Sequence, residues 1–201
     1  MQTYVLHLIF VMSGFSALLY QIIWQRVFLV LYGSNNESVA MVVAAFMLGL
    51  GLGNLLGGGL SERLGKNSVR CFALFELLIG LYGSFSLVLF SWVGSYSAFA
   101  GTWLAGGLCF LLLLVPTLLM GATLPMLVTF RVLESGQVGR SVSWLYFVNT
   151  LGAALGCFVA SKWLLFTFQM SGCVSLAAQL NLLSALVALC VFRIRSPQPS
   201  T

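Results

Sequence analysis

Six long apolar stretches occupy almost the whole chain and constrain its fold more than any other feature. A helix needs about 20 mostly apolar residues to cross the roughly 30 Å hydrocarbon core of a bilayer, because each residue advances it by about 1.5 Å. The pattern therefore predicts an all-α membrane protein with six transmembrane helices within residues 1–195, followed by a short tail at 196–201. The stretches cover residues 4–31, 38–60, 69–93, 103–129, 141–166 and 170–192.

Basic residues between the stretches indicate the orientation. Lys and Arg in short loops favour the cytoplasmic side of a membrane. Three segments on one side of the predicted bundle hold most of them, so both termini are expected in the cytoplasm. The same bias accounts for the net charge of +5. We therefore expect membrane lipid as the surroundings of the chain and no nucleic-acid partner. These residues are Arg63, Lys66, Arg70, Arg131, Arg140, Arg193 and Arg195.

The residues that commonly bind metals are scattered. Five cysteines and the single histidine, His7, do not form a C-x-x-C pair or a Cys/His cluster. We therefore expect no metal, no disulfide framework and no cofactor.

Small residues predict close helix packing in the second and fifth stretches. Such residues let helix backbones approach each other in lipid. An offset of 103 residues superimposes the two series, and it also superimposes Glu76 on Gln179. Two three-helix units of opposite topology are implied, as in each six-helix half of a major-facilitator transporter; a chance match between glycine-rich helices is the alternative. The two series are Gly49, Gly53 and Gly57, and Gly152, Gly156 and Ala160.

The segment after the second stretch carries Glu62, Arg63 and Lys66 around Gly65. It resembles the acidic-Arg-x-Gly-basic loop that follows helix 2 in major-facilitator transporters. Charge-assisted hydrogen bonds there could form and break as the helices tilt. A tight basic turn without such a role is the other interpretation.

Polar side chains inside the apolar stretches are the candidate substrate-binding residues, because each is costly in hydrocarbon unless it faces protein or water. Gln21 and Gln25 share a helix face, whereas Trp24 beside them is expected to be an interfacial anchor together with Arg26. Glu76 and Asn149 reach comparable depths, where they could line one cavity. Glu76 would bind a cation or a proton, or else be a neutral group hydrogen-bonded to a neighbouring helix.

Pro116 and Pro125 lie nine residues apart in the fourth stretch, with Gly121 between them. Each proline removes a backbone hydrogen bond. We therefore expect a kinked or interrupted helix here.

Three strings resemble the membrane portion of bacterial membrane-fused spermidine synthase-like proteins. They are Ser13–Gln21 with Trp24–Arg26, Pro116–Pro125, and Tyr146 with Asn149–Ala153. The resemblance implies a bacterial inner membrane and a soluble aminopropyltransferase-like domain after the helices. These 201 residues contain neither a Gly-rich nucleotide loop nor an acidic pair that could hold and deprotonate an amine. The chain itself is therefore not expected to be an enzyme.

Two functions stay open. In the first, the chain is the membrane module of a spermidine synthase-like system; it docks a separate soluble enzyme and handles a cationic or lipid substrate. In the second, two copies pair as a half-size transporter for a small cation such as a polyamine.

Overall fold

The computed structural model describes residues 2–32, 35–100 and 102–193, and every regular element within those ranges is helical. The tail predicted at 196–201 lies outside them. A 3₁₀ turn, Gly65–Asn67, joins α2 to α3, and a π turn, Ala160–Leu164, joins α5 to α6. The helices are α1 Gln2–Tyr32, α2 Asn35–Leu64, α3 Ser68–Ala100, α4 Thr102–Ser135, α5 Val138–Val159, α6 Leu165–Thr167 and α7 Gln169–Arg193.

Five helical stretches are long and apolar enough to cross a membrane: Thr3–Val30, Asn36–Ser95, Gly106–Ser135, Val138–Thr167 and Gln169–Val191. The second has 60 residues because it contains both α2 and α3. Between these two helices Gly65 has a φ of +51°, a left-handed conformation that glycine adopts without steric cost. The count of five therefore includes two helices within one stretch.

Contacts with α4 give the directions of α2 and α3. Gly49 lies against Thr117 and Gly57 lies against Pro125, so α2 and α4 run parallel. Tyr82 contacts Leu112 in α4, whereas the turn before α3 packs near the end of α4. α3 is therefore antiparallel to α4, and the chain reverses between α2 and α3.

Glycines of α5 pack against α1 in the same way. Gly152 lies against the backbone of Val11 and Gly156 against that of Phe15, so α1 and α5 are also parallel. A side chain at either glycine would meet the backbone of the other helix. Because dispersion contacts between closely packed backbones stabilise helix pairs in lipid, these two positions favour the smallest residue.

The remaining helix, α7, packs against α3 and α1. One buried apolar cluster groups Cys173 near the start of α7 with Trp24 in the second half of α1. The other groups Ala188 near the end of α7 with Leu6 at the start of α1. α7 is thus antiparallel to α1, and the long helices alternate in direction along the chain.

Of the kink and the interruption expected in the fourth helix, the interruption is not formed, since α4 continues through Pro116 and Pro125. Pro116 has no N–H to donate to the carbonyl oxygen of Leu112, four residues earlier. The hydroxyl of Tyr82 in α3 donates to that carbonyl oxygen instead, at 2.7 Å. A neighbouring helix therefore replaces the hydrogen bond that this proline removes.

Candidate functional site

The strongest candidate site is a carboxyl group buried between α1 and α3. Glu76 lies about 12 Å from the start of α3, at about 1.5 Å per residue, and its exposure is 0%. Ser13 Oγ of α1 donates a hydrogen bond to Glu76 Oε1. Within the described residues, Glu76 Oε2 has no hydrogen-bond partner. One carboxyl oxygen is thus held by α1, and the other is a buried acceptor that no donor of the described residues reaches.

Parallel packing of α1 against α3 creates this arrangement. Seven residues after Ser13 and Glu76, the ring of Tyr20 lies where a side chain at position 83 would stand, so Gly83 admits it. Tyr20 is fully buried, and its hydroxyl has no partner in the described part of the chain. Seven residues are nearly two helical turns, which keeps Ser13 and Tyr20 on one face of α1.

α7 adds further buried polar groups beside α1 and α3. Asn181 is 2% exposed, and its Oδ1 has no partner among the described residues. Ser184, one turn later, donates to the carbonyl oxygen of Ile9 in α1 at 3.4 Å. Three helices therefore contribute buried polar atoms to this part of the interior.

Asn149 of α5 packs against a different face of α1 from the one that holds Glu76. Its backbone and its Oδ1 lie against Gly14, which is the residue after the serine that holds Glu76. Consecutive residues of a helix point about 100° apart. Asn149 therefore approaches α1 from α5, whereas Glu76 approaches it from α3.

The two glutamines of α1 lie on the same helix face as Gly14 rather than on the face of Ser13. Gln21 and Gln25 come 7 and 11 residues after Gly14, close to whole numbers of helical turns, and both are partly buried. The candidate residues thus form two groups. Glu76 belongs to the first. Gln21 and Gln25 belong to the second, on the side of α1 that faces α5, and Asn149 packs against that side from α5.

Trp24 corrects one sequence-based expectation. It is fully buried, its ring stacks on Tyr20 with centroids 5.0 Å apart, and its Nε1 donates to Ser86 Oγ at 3.1 Å. A buried, hydrogen-bonded indole is a packing element of the bundle rather than an interfacial anchor. Its neighbour Arg26 is exposed.

The other expected positions lie at the helix ends and helix contacts. Glu62, Arg63 and Lys66 are exposed at the end of α2 and in the turn that follows it. Gly53 lies against the carbonyl oxygen of Leu118 in α4, between the contacts of Gly49 and Gly57. Within the described residues, no group of three or more His, Cys, Asp or Glu side chains could hold a metal ion.

Sequence reasoning did not select Ser13 or Tyr20 as site residues. A signal was available, because Ser13, Ser16 and Tyr20 repeat at intervals of three and four residues in an apolar helix. That spacing indicates one polar face. The sequence of α1 alone could not show which residue of another helix packs against this face.

Comparison with known proteins gives one informative similarity. Over 165 residues, or 81% of this chain, the sequence is 26% identical to Polyamine aminopropyltransferase 1 of Streptomyces coelicolor. The match covers 29% of that protein, so the chain spans less than a third of its length. No family model matches the chain, and no solved structure does. The chain is thus a membrane-like helical protein that is loosely linked to the aminopropyltransferase-like proteins.

Proposed function

We propose that this bundle is the membrane module of a polyamine aminopropyltransferase-like system. The observation that carries the proposal is the similarity to Polyamine aminopropyltransferase 1 over most of the chain. In this account the helices cross a bacterial inner membrane six times, with α2 and α3 as separate crossings and both termini in the cytoplasm. The reversal of the chain at Gly65 and the basic residues at one end of the bundle support this topology.

The pairing of the helices supports a 3+3 inverted repeat of the kind found in half of a major-facilitator transporter. The repeat would exchange α1 with α4, α2 with α5, and α3 with α7. This exchange converts the α2–α4 pair into α5–α1 and the α3–α4 pair into α7–α1, and all four pairs are in contact. It also relates the glycines of α2 that face α4 to those of α5 that face α1.

In the proposed division of labour, this chain binds and presents a substrate while a soluble enzyme performs the chemistry. The four carboxylates of the chain, Glu37, Glu62, Glu76 and Glu134, lie on different helices or at opposite ends of one helix. Glu76 alone of the four is buried, and the other three are exposed near helix ends. The exposed basic residues Arg63 and Lys66 offer a surface to an acidic patch of the enzyme.

Glu76 is the proposed contact for a cationic substrate. A carboxylate in a membrane interior is costly unless it is paired, and the ammonium group of a polyamine would supply the pair. Ser13 fixes one carboxyl oxygen, which leaves Oε2 as the acceptor for the ammonium N–H.

The same buried carboxyl favours one alternative, a half-size transporter in which two copies form a pathway for a small cation. The two functions differ in a measurable way. A transporter moves the amine across the membrane by itself, whereas a substrate-presenting module binds it without accumulating it. Uptake of spermidine into proteoliposomes that contain the purified chain separates them, because only the transporter fills the lumen above the level of empty liposomes.

A thermal-shift titration with putrescine and spermidine tests the amine contact. We expect the polyamines to raise the melting temperature of the parent and of Glu37→Gln, a control that removes a surface carboxylate, but not that of Glu76→Gln. A shift lost in Glu37→Gln and kept in Glu76→Gln would move the site to the opposite end of the bundle. The absence of any shift in the parent would refute polyamine binding.

Docking has its own test. A soluble polyamine aminopropyltransferase-like protein that is co-expressed with this chain should co-purify with it at low salt. The double variant Arg63→Gln/Lys66→Gln should lose that association, since it removes the proposed docking charges. Equal recovery with the parent and the variant would contradict docking through this turn.

A further inference from the structure

An open cleft lies at the end of the bundle where α1 and α5 begin and α4 ends. Its volume is about 750 Å³, and His7, Arg131, Arg140 and Trp144 are among its lining residues. It is separate from Glu76, and nothing in the proposed handling of a cation uses it.

The side chains of the cleft carry a net positive charge. Arg131 donates to Thr3 Oγ1 at 3.3 Å and forms an ion pair of 3.1 Å with Glu134 on the exposed side of α4. Arg140 is exposed and lines the same cleft from α5. Two guanidinium groups therefore accompany one carboxylate, and a guanidinium fork matches the geometry of an oxyanion such as phosphate.

Aromatic side chains give the cleft the character of a membrane interface. His7 stacks on Trp144 with ring centroids 6.1 Å apart, so α1 and α5 together form one wall. Tyr4 and Trp144 both line the cleft and yet are 78% and 49% exposed. Trp and Tyr concentrate at the headgroup level of bilayers, because one end of each side chain is apolar and the other is polar.

An exposed apolar strip continues from the cleft along the bundle. Leu8 follows Tyr4 by one turn of α1, and Phe147 contacts Trp144 edge to face on α5. Both Leu8 and Phe147 are more than half exposed. The basic cleft and the apolar strip together match an amphiphile with an anionic head, whereas a free anion would use the cleft alone.

We infer that this cleft binds the phosphate headgroup of an anionic phospholipid, with the acyl chains against the exposed faces of α1 and α5. Arg140 and Arg131 contact the phosphate oxygens, since a guanidinium fork matches phosphate geometry. Basic pockets between membrane helices are a recurrent way of binding such headgroups. The inference depends on the bundle lying in a membrane and is independent of Glu76.

The test is a thermal-shift titration of the purified protein in neutral detergent with phosphatidylglycerol, phosphatidylcholine or inorganic phosphate. We expect phosphatidylglycerol to raise the melting temperature of the parent by a few degrees and phosphatidylcholine to have no such effect. Arg140→Gln should lose most of this shift, while its melting temperature without lipid stays at the parental value because Arg140 is exposed.

Arg70→Gln is the matched control, because Arg70 is likewise exposed and is likewise the third residue of a long helix that begins at the same end of the bundle. It should retain the full shift. Equal shifts in the Arg140 and Arg70 variants, or an equal effect of phosphatidylcholine, would overturn the site. If inorganic phosphate reproduced the phosphatidylglycerol shift, the cleft would be a site for free phosphate, and the proposed binding of a lipid headgroup would be refuted.

Discussion

The hydrogen bond from Tyr82 to the carbonyl oxygen of Leu112 makes a specific prediction about stability. The substitution Tyr82→Phe removes only the hydroxyl, which lies 2.7 Å from that oxygen. Since residue 116 is proline, the backbone N–H that would normally bond to this oxygen is missing. The Leu112 carbonyl group would then be left unsatisfied in an apolar bundle.

The expected cost follows from this missing replacement. Hydrogen bonds between membrane helices contribute about 0.6 kcal/mol on average and about 1.7 kcal/mol at most. An unsatisfied buried acceptor costs about 1–3 kcal/mol. We therefore expect Tyr82→Phe to lower the free energy of unfolding by about 1–1.7 kcal/mol, in the upper part of the range for such bonds. The control Tyr146→Phe should cost close to nothing, because Tyr146 is exposed on α5.

A double-mutant cycle isolates the mechanism. In a Pro116→Ala background, the new backbone N–H of residue 116 can bond to the Leu112 carbonyl oxygen. Tyr82→Phe should then cost about 0.5 kcal/mol, which gives a coupling of roughly 1 kcal/mol. Reversible unfolding in mixed detergent micelles measures all four variants. An equal cost of Tyr82→Phe with proline and with alanine at position 116 would refute the claim that the tyrosine compensates for the proline.

Two further predictions concern packing and topology. Gly53→Ala should lower the free energy of unfolding by about 1–3 kcal/mol, because the new methyl group meets the backbone of α4 at Leu118. The control Gly51→Ala, on the open face, should cost nothing. Equal stabilities of the two variants in a detergent unfolding assay would contradict close packing at Gly53. Single cysteines at Lys66 and Gln137 should react with a membrane-impermeant thiol reagent from the cytoplasm and one at Asn36 from the far side, in a background without the native cysteines; cytoplasmic labelling at Asn36 would contradict the proposed orientation.

Much of the helical framework could be read from the sequence because it depends on local properties. Apolar stretches longer than 20 residues specify helices wherever they occur. The end of α2 and the start of α3 follow from the polar turn at Gly65. The glycines of α2 could be assigned to one face because a spacing of four residues keeps them in line. None of this requires knowledge of a partner helix.

The contacts of Glu76 could not be predicted, because they depend on the register of two helices that are far apart in sequence. Ser13 and Glu76 are separated by 63 residues, and a shift of one residue between α1 and α3 would abolish their hydrogen bond. The burial of Trp24 depends on the same register, because Ser86 accepts from its indole N–H. The sequence of α1 alone predicts an interfacial anchor at Trp24, because it carries no information about the helix packed beside it.

The continuity of α4 through Pro116 depends on a contact of the same kind. A proline removes a hydrogen bond, but the consequence depends on whether another donor reaches the orphaned carbonyl group. Here the donor comes from a different helix, 30 residues earlier in the chain. Local sequence identifies the orphaned group, and only the tertiary structure identifies its partner.

Equilibrium binding of radiolabelled spermidine tests the proposed polyamine function most directly. The parent, Glu76→Gln and Glu37→Gln would be reconstituted in nanodiscs of one lipid composition, so that any binding to the lipid surface is the same for all three. The account predicts saturable binding to the parent and to Glu37→Gln that is competed by unlabelled putrescine, together with at least a tenfold loss of affinity in Glu76→Gln. Binding to the parent that never exceeds that of empty nanodiscs, or that is unchanged by Glu76→Gln, would contradict it.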